Sequence, residues 1–209
     1  MRLTQFVHIH LKEVLKAGDS ALDATAGNGH DSLHMAELIG PLGTLVAIDL
    51  QAKAIENTRN KLASKDYLER SKLLKGNHAD VLKQLNGTFK AIVFNLGYRP
   101  GSDQKLITEV DSTIGALNEV PRLLAPNGIL LVTTYRAHKG GLPESIAVED
   151  WMRKQEQSDG WFVHKIEPNV IQSKTTHDNL PPILWVASPT LSISVSVSPF
   201  MGMMGNSEK

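Results

Sequence analysis

The sequence predicts an α/β fold: a seven-stranded, mostly parallel sheet with helices on both faces and a late antiparallel hairpin. Three observations predict it. Five short apolar runs alternate with stretches of helical spacing, as strand–helix–strand units do. A glycine turn, Gly27-Asn28-Gly29, stands between the first run and the helix that follows it. The last two apolar runs are joined by a loop without helical pattern, so they pair antiparallel.

The 209 residues suit one domain with a full core. We place that domain at residues 1–188 and expect 189–209 to be a weakly ordered tail, where Ser alternates with Ile or Val before a Met- and Gly-rich end. The formal net charge is zero and the pI is about 7.1, so any nucleic-acid contact must rest on a local basic patch. The absence of cysteine excludes disulfides, thiolate metal clusters and thiol nucleophiles, and no metal is expected. No apolar run reaches the length of a membrane span, and Lys12 and Glu13 interrupt any secretory signal. The expected setting is soluble and reducing: cytoplasmic, or organellar where a transit peptide has been removed.

The elements follow in order. Leu3 to Lys16 is a helix with Phe6, Ile9, Val14 and Leu15 at helical intervals; His8 and His10 face different sides and read as surface or packing residues. Ser20 to Ala24 is the first strand, and Ser32 to Ile39 the helix after the glycine turn. Gly40-Pro41-Leu42-Gly43 ends that helix, and Thr44 to Asp49 is a buried parallel strand. Ala52 to Ala63 is a polar-faced helix, followed by a basic stretch (Lys61, Lys65, Arg70, Lys72, Lys75) that reads as a solvated face. Leu73-Leu74 begins a short third strand ending at Gly76-Asn77-His78, and Ala79 to Leu85 is a short helix. Phe89 to Phe94 is the fourth strand. Ser112 is the expected N-cap of a helix running to Leu124 and kinked or shortened by Pro121. Ala125 to Gly128 is a turn, Ile129 to Tyr135 the fifth strand, and Ile146 to Gln157 a helix anchored by Trp151. Trp161 to Ile166 and Asn179 to Ala187 form the hairpin.

The glycine turn carries the chemistry. A dinucleotide loop places a third glycine here and a pyrophosphate on the helix N-terminus. This chain has His30-Asp31 instead, with Asp23 ending the strand. Two carboxylates repel a pyrophosphate but suit the sulfonium and ammonium of S-adenosylmethionine. Asp49 ends the second strand, 26 residues beyond Asp23, placed to accept ribose hydroxyls. The candidate cofactor residues are Asp23, Ala24, Thr25, Gly27, Asn28, Gly29, His30, Asp31, Asp49, Leu50 and Gln51, with Asn77 or His78 near the base edge and Asn95 at the switch point. The fourth strand runs into Asn95-Leu96-Gly97-Tyr98-Arg99-Pro100-Gly101-Ser102-Asp103. Asn95 and the Leu96 carbonyl suit the hydrogens of an amine, Gly97 permits close approach, and Tyr98 offers a ring to a base. Arg99, Lys105, Arg136 and Lys139 gather at the same sheet edge as a basic rim fit for RNA phosphates. His138, Asp103, Tyr135 or water are the open choices for a proton acceptor.

Asp23-Ala24-Thr25-Ala26-Gly27-Asn28-Gly29-His30-Asp31, Asn95-Leu96-Gly97-Tyr98 with Pro100-Gly101 and Asp103, and Asn179 with Pro181-Pro182 resemble the MnmM/YtqB-like family of small methyltransferases, once grouped as rRNA methylases. The resemblance spans roughly Thr4 to Ala187. It implies a Rossmann-like S-adenosylmethionine methyltransferase fold, the cofactor held by Asp23 to Asp31 and Asp49, and substrate near Asn95 and Tyr98. It also implies N-methylation of the 5-aminomethyl group of wobble (2-thio)uridine, with the tRNA anticodon arm as partner and a homodimer as a compatible assembly. Three departures stand out: Ser102 replaces a second glycine, Tyr135-Arg136-Ala137-His138 replaces Tyr-x-Gly-His, and the tail from Ser188 has no counterpart. The rivals are an rRNA or small-molecule methyltransferase, a nicotinamide oxidoreductase and a non-catalytic RNA-binding module.

Overall fold

A computed structural model describes residues 3–97, 110–138, 140–167 and 180–190. The elements are α1 (Leu3–Val14), β1 (Ser20–Asp23), α2 (His30–Ile39), β2 (Thr44–Asp49), α3 (Ala52–Ala63), β3 (Ser71–Lys75), α4 (His78–Gln84), β4 (Phe89–Leu96), α5 (Val110–Leu117), α6 (Val120–Leu123), β5 (Leu124–Thr134), α7 (Gly141–Ser158), β6 (Phe162–Ile166) and β7 (Ile183–Ser188). They build one seven-stranded sheet in the order β3-β2-β1-β4-β5-β7-β6. The first five strands are parallel and β6 and β7 antiparallel, as the sequence predicts. The expected tail beyond residue 190 lies outside the described residues.

Alternation along the strands sends side chains to two helical layers. Ile92 and Phe94 join Leu82, Leu117, Val148 and Met152 beneath α4–α7. Ala91 and Val93 join Leu11, Met35, Ile39 and Leu62 beneath α1–α3. Each fully buried Leu, Ile or Phe removes apolar surface worth about 1.5–3 kcal/mol from water. The strand order reverses between β1 and β4, so their C-terminal ends diverge and leave a crevice at the switch point.

Three local readings change. Of the two effects expected of Pro121 the structure has the shortening: α5 ends at Leu117, and Pro121 sits in the first turn of a second helix, α6, where its missing N–H costs nothing. The Ala125–Gly128 turn is an excursion within β5, where pairing with β4 jumps from Phe89↔Leu124 to Ala91↔Ile129. The final long helix begins at Gly141, five residues ahead of the expected Ile146, because Gly140 takes the left-handed φ of 85° at its N-cap. That extra turn points inward: Glu144 accepts from the Thr113 hydroxyl at 2.6 Å, and the Ser145 and Thr134 hydroxyls pair at 2.9 Å.

Burial pushes the Glu144 carboxyl up from 4.5 to about 7, against the Thr113 bond, which lowers it. The folded chain therefore keeps this proton across a range where the unfolded chain releases it. Its contribution to stability falls as pH rises from about 4.5 and is gone above about 7. Burial, and then the Asp31 charge, push Asp23 likewise to about 7. His78, held low by burial, works the other way over most of this window, so Glu144→Gln should remove most of the net fall in thermal stability across it. Denaturation scans at a series of pH values check this; an unchanged slope contradicts it.

Candidate functional site

The crevice is built from the ends of β1, β2 and β4 and the first turn of α2. The chain leaves β1 through residues Ala24 to Gly29, with φ of 54° at Gly27 and 73° at Gly29. Glycine permits both, and at Gly29 a Cβ would lie 2.8 Å from the Thr58 Cα of α3. The loop is tied to its neighbours on each side. Ala24 N–H donates to the Val93 carbonyl at 2.8 Å, and Ala26 N–H to the Ile48 carbonyl at 2.8 Å. Asn95 N–H donates to the Thr25 hydroxyl at 2.6 Å, fixing the end of β4 against the loop.

The three predicted carboxylates have different duties. Asp23 is 1% exposed and turned inward; it accepts from the Ser32 hydroxyl at 2.5 Å and from Thr25 N–H at 3.1 Å. It organises the loop from beneath. Asp49 accepts Gly27 N–H at 2.9 Å and Gln51 N–H at 2.8 Å, one on each oxygen, and stays partly exposed. A carboxylate oxygen accepts more than one bond, so Asp49 retains capacity for ribose hydroxyls. Leu50 beside it is 45% exposed, an uncovered apolar group next to the ribose position. Asp31 lies in the first turn of α2, where the helix dipole favours a negative charge. One of its oxygens accepts from His8 Nε2 at 2.8 Å; the other is 3.5 Å from the Asn95 Nδ2. The crevice thus gathers carboxylates, a glycine loop and an apolar flank, a donor set that fits an adenosine bearing a cationic sulfonium.

Other predicted residues are placed differently. His78 is buried against Phe94 and Ser112, and burial lowers its pKa to about 4, so it is neutral at physiological pH. Asn77 caps α4 through its Oδ1, which accepts from Ala79 N–H at 2.9 Å and from the Ser112 hydroxyl at 2.7 Å. The Ser112 hydroxyl therefore closes this small network instead of capping α5. His30 and Asn28 are exposed and face α3, where the Lys61 ammonium approaches His30 Nδ1 at 3.1 Å and Asn57 donates to Asn28 at 3.1 Å.

Leu96 is buried, and the bare Gly97 admits the Tyr135 ring: a Cβ there would lie 2.9 Å from it. Burial and the Asp31 charge raise the Tyr135 pKa, so this phenol keeps its proton and is a poor proton acceptor. His138 lies against Gly141 at the start of α7. Arg136 is not a free cation of the rim: its Nε donates to the Pro181 carbonyl at 2.8 Å and its guanidinium pairs with Glu167. Tyr98, Arg99, Asp103, Lys105 and Lys139 lie outside the described residues. Among the described residues no His, Asp and Glu cluster has the makings of a metal site, and no helix is long and apolar enough to cross a membrane.

Sequence reasoning missed His8, Ser32 and His34. His8 comes from α1 to meet Asp31, and its ring stacks on His34 at 4.2 Å. Their link spans 23 positions, a distance no local pattern reports.

A family model described as "Putative rRNA methylase" matches residues 45–184. The chain is 32% identical over 159 residues to the tRNA (mnm(5)s(2)U34)-methyltransferase, chloroplastic, of Arabidopsis thaliana, a match covering 71% of this chain and 58% of that protein. The chain spans about half the length of the curated relatives it matches. Its fold is shared with the structure described as "putative rRNA-methylase" from Clostridium thermocellum (TM-score 0.81, 32% identity, 90% of this chain and 97% of that one). It is shared also with the protein described as "a putative methyltransferase" from Streptococcus mutans, solved in complex with SAH (TM-score 0.76, 28% identity, 90% and 97%). These likenesses overturn the nicotinamide alternative.

Asp49→Ala would leave the Gly27 and Gln51 N–H groups without their acceptor, a loss of about 1–3 kcal/mol of local stability. Calorimetric titration with S-adenosylhomocysteine should show affinity reduced at least about tenfold. Wild-type affinity would remove Asp49 from the site.

Proposed function

This chain belongs to the methyltransferase family described as "Putative rRNA methylase", and we propose from that premise that it N-methylates the 5-aminomethyl group of wobble (2-thio)uridine in tRNA. It is a methyltransferase by family and by fold. The single observation that carries the acceptor reading is the meeting of Asp31 and Asn95, Oδ2 to Nδ2 3.5 Å, at the switch point. A carboxylate suited to a cation stands beside an amide suited to an amine. The Arabidopsis relative, named for a wobble-uridine amine, supports the same acceptor.

S-adenosylmethionine supplies a methyl group on a sulfonium. The glycine loop and Asp49 would hold its adenosine and amino-acid ends, with Asp31 offsetting the positive charge. The Asn95 side-chain oxygen and the Leu96 carbonyl would accept the hydrogens of the neutral amine and aim its lone pair at the methyl carbon. Positioning of this kind supplies several powers of ten in rate. The anticodon arm is the proposed partner. Tyr98 would stack on the extruded base, and Arg99 and Lys139 would meet the phosphates.

The test incubates the protein and labelled S-adenosylmethionine with tRNA carrying 5-aminomethyluridine, with rRNA, and with small amines, and then identifies modified nucleosides by mass spectrometry. Methylaminomethyluridine in tRNA is the expected product; label confined to rRNA or to small amines overturns the reading. Asn95→Ala should lower kcat about a hundredfold while weakening cofactor binding far less. Full turnover in that variant would refute the amine-orienting role.

A further inference from the structure

The acceptor amine is an alkylammonium near neutral pH and must lose a proton before it attacks. We infer that Asp31 takes that proton and that His8, reaching the crevice from α1, is the positioning residue that aims Asp31 at Asn95. The inference rests on the amine reading above and adds the group that deprotonates it.

The geometry is specific. His8 Nε2–H donates to Asp31 Oδ1 at 2.8 Å, which turns Oδ2 toward the Asn95 amide at 3.5 Å, where the amine is held. The His8 ring is itself fixed. It stacks on His34 at 4.2 Å with 21° between the planes, and the His34 ring nitrogen meets the His8 carbonyl at 3.4 Å. The Asp31 side chain is 13% exposed and that of His8 36%, so the pair runs from the crevice to solvent.

The groups that face the pair are His34 of α2, on which Glu37 acts in turn, Asp23 at the end of β1, and Tyr135 beyond β5. Burial, then the neighbouring His8, hold His34 below its ordinary basicity, so it leaves the Asp31 charge to His8. Two other candidate acceptors are less suited: Tyr135 is held in its phenol form by burial, and His138 lies against Gly141.

The step balances. The ammonium N–H bond breaks and the proton passes through Asp31 Oδ2 to water, leaving a neutral amine beside an Asp31 that is again a carboxylate. The amine lone pair forms the new N–C bond as the methyl C–S bond breaks and its electrons go to sulfur. The product leaves as a secondary ammonium. By donating to Oδ1, His8 leaves Oδ2 facing the amine as the atom that takes the proton.

Wild-type turnover on an anticodon arm bearing 5-aminomethyluridine is measured first; its absence overturns the amine reading and this inference with it. Given that turnover, His8→Ala should lower kcat on the order of a hundredfold, with the KM for S-adenosylmethionine changed far less. His8→Gln, whose amide also donates to Asp31, should recover most of the rate. Wild-type rate in His8→Ala, or a His8→Gln rate no higher than that of His8→Ala, overturns the inference. A readout free of substitution comes from nitrogen-detected NMR of the wild-type imidazole. A neutral ring protonated at Nε2 supports it; a neutral ring protonated at Nδ1 overturns it.

Discussion

Crowded negative charge is the constraint on which the site depends. Asp23, Asp31 and Asp49 are brought to one sheet edge by the parallel order of β1 and β2 and by the sharp turn at Gly27 and Gly29. Their repulsion is visible in Asp23, whose pKa is raised first by burial and then by Asp31 and Asp49. A fold that only needed a turn would not gather acids at the open end of its switch point. The arrangement is relieved by a positive ligand, and a methyl sulfonium beside an ammonium is such a ligand.

Around that charge the chain uses backbone groups more than side chains. Asp49 takes two N–H groups, Thr25 takes the Asn95 N–H, and the loop's own N–H groups reach β2 and β4. The crevice is therefore as rigid as the sheet that frames it. Preorganisation of this kind suits a reaction in which two reactants need only be aligned. The helices contribute selectively: α2 brings Asp31, α3 closes on Gly29, and α1 supplies the histidine that holds Asp31.

The sheet was legible because most strands hold a short apolar run and most turns carry glycine, proline or asparagine. The antiparallel end was legible from the missing helix between the last two strands. The acid at the end of β2 and the doubly glycine turn pointed to the crevice where the structure brings them together. What escaped was contact made across elements. His8 looked like a surface residue, since nothing near it in the chain shows that α1 crosses α2 at Asp31. Arg136 looked like part of a basic rim, and only the fold brings Glu167 and Pro181 to it. His78 looked available to a base, but Phe94 and Ser112 enclose it. Gly140-Gly141 looked like loop, because a helix that begins on glycine draws its start from buried Glu144 and Ser145, not from propensity.

The most direct measurement is a crystal structure of this protein grown with S-adenosylmethionine. The account predicts the ribose hydroxyls on Asp49, the adenine beside Leu50, and the sulfonium methyl between Asp31 and Asn95. A crevice that stays empty at saturating donor, or a methyl group pointing away from Asn95, would contradict it.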